Sequence, residues 1–179
     1  VENICKDLEK RNIKFDCDPN LAKISFDGDN YFDSGKVILN NQGQANLIKI
    51  ASTIKGTVLC DITHLPISLK NSMNCEKNDS ISFNAIFIEG HADITPLGSI
   101  SKQLYGNNLK LSALRAGNFY GRLGDHLPEI EDIKNQDCEP IFAVSGYGDK
   151  RPVEGAKNCD LEDTECLSKN RRIELRFFS

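Results

Sequence analysis

Two hydrophobic periods alternate along this chain, and together they restrict the folds that it can adopt. Residues 22 to 26 and 173 to 177 are apolar at every second position, the pattern of a strand with one buried face. Helical spacing instead relates the apolar residues Leu47, Ile50, Ala51 and Ile54, and likewise Leu111, Phe119 and Leu123. The alternation predicts an α+β fold, a two-layer αβ sandwich with helices packed on one face of a mixed sheet.

Turn residues and β-branched runs suggest where the elements begin and end. We expect a short helix at the N-terminus, and the first strand of the sheet at residues 22 to 26. The first long helix is predicted to stop at Gly56, and the second to run from about Leu111 to Leu123, with Asn108 or Ser112 as its cap. Further strands are expected at residues 57 to 62, 82 to 93 and 141 to 147.

Length, charge and hydropathy exclude several classes of protein. With 179 residues, 39% of them hydrophobic and 27% charged, the chain can bury one substantial core. The net charge of −4, without a basic stretch interleaved with aromatic residues, argues against nucleic acid as a partner. No apolar run approaches the roughly 20 residues needed to cross a bilayer, so we do not expect this segment to insert into a membrane. A leader or membrane anchor is expected to lie outside it, unless the protein is cytosolic.

Seven cysteines favour an oxidising compartment. They show no Cys-x-x-Cys spacing and lie far from the three histidines, so we expect disulfides rather than a zinc site. Cys159 and Cys166 flank a short acidic loop, and Cys60 and Cys75 flank a polar stretch, so each pair could close a local loop. Sequence spacing does not fix the connectivity, and the odd number leaves at least one thiol free or paired with another chain.

Charged residues occur at three positions where binding residues are often found. Arg115 falls within the apolar stripe of the second long helix, where a guanidinium needs either a structural Asp partner or a bound carboxylate. Asp93 follows a predicted strand at a junction where ligand-binding residues collect, although a turn-forming Asp is the commoner explanation there. Arg171 shares the inward parity of Ile173, although a solvated strand end explains it equally well.

Four fragments in order resemble the OmpA-like peptidoglycan-binding domain of outer-membrane anchors, Pal-type lipoproteins and MotB-type stator subunits. The resemblance covers residues 24 to 178. The fragments are Tyr31-Phe32-Asp33-Ser34-Gly35, Glu89-Gly90-His91-Ala92-Asp93, Asn108-x-x-Leu111-Ser112-x-x-Arg115-Ala116, and Gly146-Tyr147-Gly148 followed by Asn170-Arg171-Arg172. The resemblance implies that residues 21 to 179 form this domain and that residues 1 to 20 are an N-terminal adapter.

By the same resemblance, Asp93 and Arg115 would hold the diaminopimelate of the peptidoglycan stem peptide. This amino acid presents an ammonium and a carboxylate on one carbon, which suits an acceptor beside a forked donor. Asp33, Asn108 and Arg171 would line the same pocket, and Ser112 would cap the helix. Ala92 stands where the family usually has Thr, which removes one hydroxyl from the motif.

The long segment from residue 57 to 82 and the cysteines of the loop before the last strand, together with the runs 87 to 91 and 170 to 177, are most similar to stator-type members. These are MotB-like proteins and the ZorB-like subunits of Zorya antiphage systems. The resemblance implies a non-catalytic periplasmic domain, without metal or cofactor, that anchors a larger inner-membrane protein to the cell wall. It also implies a homodimer and a membrane stator partner. An OmpA or Pal-type outer-membrane anchor and a periplasmic interaction module without wall binding are the alternatives.

An enzyme is the competing hypothesis from another class. A zinc amidase or peptidase could use His91, Asp93 and His64 as metal ligands, but the sequence contains no His-Glu-x-x-His motif. No cysteine lies in a recognisable nucleophile setting either. We therefore expect a binding domain rather than a hydrolase.

Overall fold

The computed structural model describes residues 1–59 and 83–179 of the chain. Its strands are β1 (Asp16–Asp18), β2 (Lys23–Asp27), β3 (Ala85–His91), β4 (Phe142–Gly148) and β5 (Arg172–Phe178). Its α-helices are α1 (Glu2–Lys10), α2 (Asn41–Thr53), α3 (Ser99–Tyr105), α4 (Asn108–His126) and α5 (Thr164–Asn170). A π-helical turn (Ile54–Val58) continues α2, and short 3-10 helices occupy Gly28–Asn30 and Pro128–Glu131. Among these described residues, no helix is long and apolar enough to cross a membrane.

The five strands form one mixed sheet in the order β1-β2-β5-β3-β4. β3 and β4 pair in parallel, and the other neighbouring strands are antiparallel. The parallel pair is joined through α3 and α4, since two parallel strands need a crossover connection. The expected α+β fold with a mixed sheet is confirmed. The prediction that residues 22 to 26 form the first strand is wrong, because the three-residue β1 precedes them at the edge.

Helices α1, α2 and α4 cover one face of the sheet, as expected, and the core lies between the two layers. Phe26 of β2, Tyr31 and Phe119 of α4 form an aromatic cluster with ring centroids 5.8 to 6.2 Å apart. Ile24, Ile88 and Leu175 point to the same side and are at most 1% exposed. The alternation seen in the sequence therefore sets the inner face of each strand.

The opposite face of the sheet is polar, but it is less exposed than the sequence suggests. Arg172 and Glu174 alternate with the apolar residues of β5 and yet are only 7% and 0% exposed. Arg172 Nε donates to Glu174 Oε1 at 2.6 Å, and its Nη2 donates to the carbonyl of Arg151 in the loop after β4. A buried charge needs such partners, and the alternation alone does not reveal that the loop covers them.

Three helix boundaries differ from those expected. The π-helical turn Ile54–Val58 passes through Gly56, so the predicted stop there is wrong, and residues 57 and 58 are helical rather than extended. α4 begins at Asn108 and continues beyond Gly124. Its cap is Asn107, whose side chain accepts from the Lys110 N-H, rather than Asn108 or Ser112. Glycine ends a helix when it takes a left-handed φ, which neither Gly56 nor Gly124 does. Residues 60 to 62 of the predicted strand lie outside the described residues.

Two disulfides lie among the described residues. Cys159 and Cys166 are bonded, as the sequence suggested. Cys5 of α1 is bonded to Cys17 of β1, a pair that the sequence did not single out. Cys60 and Cys75 lie outside the described residues, and Cys138 is an exposed free cysteine. Because Ile4, Cys5 and Leu8 belong to the hydrophobic core, α1 packs with the domain; the boundary at residue 20 stays a prediction.

Candidate ligand-binding site

All five residues that the sequence singled out line one pocket of about 520 Å³. The pocket lies where the end of β3, the start of α4, the loop after β2 and the start of β5 meet. The five residues singled out from the sequence are Asp33, Asp93, Asn108, Arg115 and Arg171. Asp29 also lines it, so three carboxylates and two guanidinium groups share one cavity. Such a lining can accept a ligand that carries both charges.

Arg115 projects from α4 into this pocket and is only 6% exposed. Its Nε donates to the Lys36 carbonyl at 2.8 Å, and its Nη2 donates to the Asp33 carbonyl at 3.2 Å. The guanidinium also lies over the ring of Phe32, 5.1 Å from its centroid. Burial lowers the pKa of Arg115 from its ordinary value, and the charges of Asp29 and Asp93 oppose this shift.

The structural salt bridge considered for Arg115 is not formed among the described residues. Backbone carbonyls hold the side chain instead, and none of the ion pairs in residues 1–59 and 83–179 involves it. Within the same residues its Nη1 makes no hydrogen bond. A guanidinium that is held by two neutral acceptors still carries its positive charge, and the N-H groups of its Nη1 stay available to a ligand.

Asp93 lies two residues beyond β3 and is 5% exposed. Its Oδ1 accepts from the Thr95 N-H at 2.7 Å, which is the local turn that its residue type favours. Its Oδ2 accepts from Arg171 Nη1. A carboxylate has about four lone-pair positions, so these two bonds leave room for a further donor.

Asn108 supports Asp93 from the first residue of α4. Its Nδ2 donates to the carbonyl of Asp93 at 3.1 Å and to that of Thr95 at 2.9 Å. Both amide protons are therefore engaged with the loop after β3. This contact fixes the loop on the helix and holds Asp93 in the pocket.

Arg171 connects the pocket to the loop after β2. Its Nε and Nη2 donate to the two carboxylate oxygens of Asp29 at 2.8 and 2.7 Å, while Nη1 reaches Asp93. The hydrogen bonds to Asp29 and Asp93 raise the pKa of Arg171. The backbones also touch here, because a Cβ on Gly28 would lie 2.9 Å from the Arg171 carbonyl oxygen. Sequence reasoning missed Asp29, since an Asp in an Asp-Gly-Asp-Asn turn carries no signal beyond the turn itself.

Asp33 contributes to the site mainly through its backbone. Its carbonyl accepts from Arg115, whereas its exposed carboxylate accepts from Asn40 Nδ2 at 3.3 Å. Gly35, two residues later, has a left-handed φ of 65°. This turn brings the Asp33 and Lys36 carbonyls to the guanidinium of Arg115.

Ser112 has a structural role that differs from the expected cap. Its Oγ donates to the Leu109 carbonyl at 2.9 Å and accepts from the Gly148 N-H at 2.9 Å. The side chain therefore ties α4 to the end of β4. The helix that carries Arg115 is held against the sheet at this point.

A second cluster of ionisable groups occupies the polar face of the sheet. Glu89, His91 and Glu174 offer ligand atoms that lie within 4.8 Å of one another, and all three are buried. Burial lowers the pKa of His91. Arg176 already donates to Glu89 Oε2 at 3.3 Å and to Glu174 Oε2 at 3.0 Å, so both carboxylates are paired.

The arrangement also separates His91 from Asp93, which the zinc hypothesis would bring together. His91 stacks on Tyr147 on the polar face, at a centroid distance of 5.3 Å, whereas Asp93 lines the pocket. His64 lies outside the described residues. With Arg172 and Arg176 beside its two glutamates, the cluster has no excess negative charge to attract a cation. We interpret it as structural.

Structure comparison identifies the class of fold. The cell wall anchor of the type VI secretion system (T6SS) from Pseudomonas aeruginosa superposes with a TM-score of 0.61 and 18% identity, over 99% of this chain and 95% of that one. The periplasmic domain of Helicobacter pylori MotB gives a TM-score of 0.56 and 18% identity, over 88% and 73%. A protein from Desulfovibrio vulgaris described as MotB-like gives 0.56 and 17%, over 99% and 92%.

These likenesses confirm the expected OmpA-like, MotB-type fold. No protein-family profile matches the sequence. The search of curated proteins likewise gives no sequence match. The comparison therefore establishes the architecture of the chain.

Proposed function

We propose that this chain binds peptidoglycan, without catalysis, through diaminopimelate that is not cross-linked. The observation that carries the proposal is the meeting of Asp93 and Arg115 in one pocket, with Nη1 of Arg115 unengaged among the described residues. Such a pair offers an acceptor and a planar donor to the two charges on one carbon of the ligand.

Each charge of the ligand has its own partner in this arrangement. The carboxylate accepts from Nη1 of Arg115, and the guanidinium is already oriented by the Lys36 and Asp33 carbonyls. The ammonium donates to Asp93, whose carboxylate is oriented by Thr95 and Arg171. Because both protein groups are fixed before binding, little side-chain entropy is lost when the ligand arrives.

The likeness to a cell wall anchor and to MotB periplasmic domains supports an anchoring role for a larger envelope protein. We place the chain in the periplasm, as the wall-binding part of an ion-driven stator subunit of the MotB-like or ZorB-like kind. In this role it would act as a homodimer beside a membrane partner. An outer-membrane anchor would use the same pocket and differ only in what it holds.

Pull-down on purified sacculi that contain diaminopimelate tests the proposal. The parent is compared with Asp93→Ala and Arg115→Ala after circular dichroism has confirmed that both variants fold. Asp125→Ala and Arg122→Ala are matched controls, because this exposed pair lies on the same helix as Arg115, near its C-terminal end and away from the pocket. We expect the parent and both controls to bind and the two pocket variants to lose binding.

Failure of the folded, oxidised parent to bind would overturn wall binding and favour an interaction module without it. Binding that survives both pocket substitutions would instead place the wall contact elsewhere on the domain.

A further inference from the structure

We propose that Asp29 is a positioning residue that keeps Asp93 accessible to the ammonium of the ligand. Asp29 binds Nε and Nη2 of Arg171, so that Arg171 donates to Asp93 through Nη1 alone. This inference rests on the proposed function and adds to it a residue that determines how strongly the ammonium is bound.

The geometry shows two unequal contacts of Arg171. Nε and Nη2 form a bidentate pair with Asp29, at 2.8 and 2.7 Å, whereas Asp93 receives a single bond from Nη1. The bidentate arrangement is the strongest that a guanidinium makes with a carboxylate. Asp29 therefore fixes the orientation of Arg171, and only Nη1 of Arg171 donates to Asp93.

The backbone holds Asp29 where it can pair with Arg171. The Gly28 N-H donates to the Arg171 carbonyl at 2.8 Å, so residues 28 and 171 are in direct contact. The side chain of Asp27 caps the turn by accepting from the Asp29 N-H at 3.0 Å. Asp29 is thus held beside Arg171 by its own turn, before any ligand is present.

Removal of Asp29 would change how Arg171 pairs with Asp93. The released Nε and Nη2 edge could turn to Asp93 and occupy both of its oxygens. One of those oxygens already accepts from the Thr95 N-H. An ammonium would then compete with a bidentate guanidinium for the same carboxylate, and its binding would weaken.

The test compares three soluble stem tripeptides by isothermal titration calorimetry. One ends in meso-diaminopimelate, one in 2-aminopimelate, which lacks the terminal ammonium, and one in lysine, which lacks the terminal carboxylate. For Asp29→Ala we expect about 10-fold weaker binding of the diaminopimelate peptide, the size of one charged hydrogen bond. In this variant, the ratio of affinities for the diaminopimelate and 2-aminopimelate peptides should fall towards 1. The ratio of affinities for the diaminopimelate and lysine peptides should stay as in the parent.

Two further single variants and one double variant separate positioning from a general effect of charge. Asp29→Glu keeps the carboxylate and should restore the ammonium preference. Asp125→Ala also removes an exposed Asp that pairs with an Arg, and should change nothing. In an Arg171→Met background, Asp29→Ala should have no additional effect, since Asp29 acts through Arg171.

Two results would overturn the inference while the proposed function stands. One is an unchanged ammonium preference in Asp29→Ala. The other is an equal loss in the Arg171→Met background, which would indicate a direct effect of the Asp29 charge on the ligand. If Arg171→Met does not fold, the peptide preferences of Asp29→Ala decide alone. A parent that binds none of the peptides would remove the proposed function and this inference with it.

Discussion

Gly90 of β3 lies directly beneath Ser112 of α4, so closely that a Cβ on Gly90 would be 2.0 Å from the Ser112 carbonyl oxygen. Only a residue without a side chain allows this approach. The contact is close in sequence to both charges of the pocket, because Asp93 follows Gly90 by three residues and Arg115 follows Ser112 by three. The distance between strand and helix therefore determines how the two charges face each other.

Gly90→Ala should push α4 away from the sheet, destabilise the domain and weaken wall binding. The clash is with backbone atoms, which cannot move aside separately, so we expect a loss of about 3 kcal/mol in the free energy of unfolding. Urea denaturation followed by circular dichroism measures this change. Gly117→Ala on the same helix meets nothing within 4 Å and should stabilise by about 0.5 to 1 kcal/mol. Equal stability of the two variants would contradict the close packing.

Stability should fall as the pH is lowered from 4.5 towards 2. Burial alone would raise the pKa of Glu174, but the charge and hydrogen bond of Arg172 outweigh it and lower this pKa from 4.5 to about 2. In the unfolded chain the group takes up its proton near 4.5, so its contribution to stability is complete above that pH and is lost below it.

Glu174→Gln should be less stable than the parent at pH 7 and should show a flatter pH dependence between 4.5 and 2. Removing one member of a buried ion pair costs about 3 kcal/mol or more. Thermal unfolding at a series of pH values measures both effects. Glu162→Gln changes an exposed residue and serves as the control. A parallel pH profile for parent and Glu174→Gln would show that this carboxylate does not contribute to acid sensitivity.

The strands were easier to predict from the sequence than the small helices. β2 and β5 alternate strictly, and burial of Ile24 and Ile173 follows their parity. The helix α3 shows no such pattern, because none of its residues is buried and Ile100 is 74% exposed. β1 pairs only three residues with β2, which is too short for a period to emerge.

The resemblance grouped the five pocket residues, but neither it nor the residue pattern gave their pairing. The unusual position of Arg115 in an apolar stripe pointed to a special partner. Its partners are the carbonyls of Lys36 and Asp33. They reach Arg115 because of a turn at Gly35, 80 residues away in sequence. The pairing of Asp29 with Arg171 depends on strand register between β2 and β5, which the sequence pattern leaves undetermined.

The disulfide between Cys5 and Cys17 should stabilise the packing of α1. It closes a loop with a sequence separation of 12, for which loss of chain entropy in the unfolded state predicts about 2 to 3 kcal/mol. The double variant Cys5→Ala and Cys17→Ala should therefore unfold at lower urea concentration. Cys138→Ser, at the exposed free cysteine, should leave the midpoint unchanged. An unchanged midpoint in the double variant would mean that the noncovalent contacts of α1, apolar and polar, suffice to hold it.

Arg115→Lys should keep the fold and lose most of the binding. Lysine retains the positive charge, but its single nitrogen cannot hold the Lys36 carbonyl, the Asp33 carbonyl and a ligand carboxylate in one plane. We expect at least about 10-fold weaker binding of the diaminopimelate tripeptide, since one charge-assisted hydrogen bond corresponds to that factor or more. Arg122→Lys, at an exposed position on the same helix, is the matched control and should bind as the parent does. Full binding by Arg115→Lys would show that the site needs only a charge, and that the fork of Arg115 has no part in recognising the carboxylate.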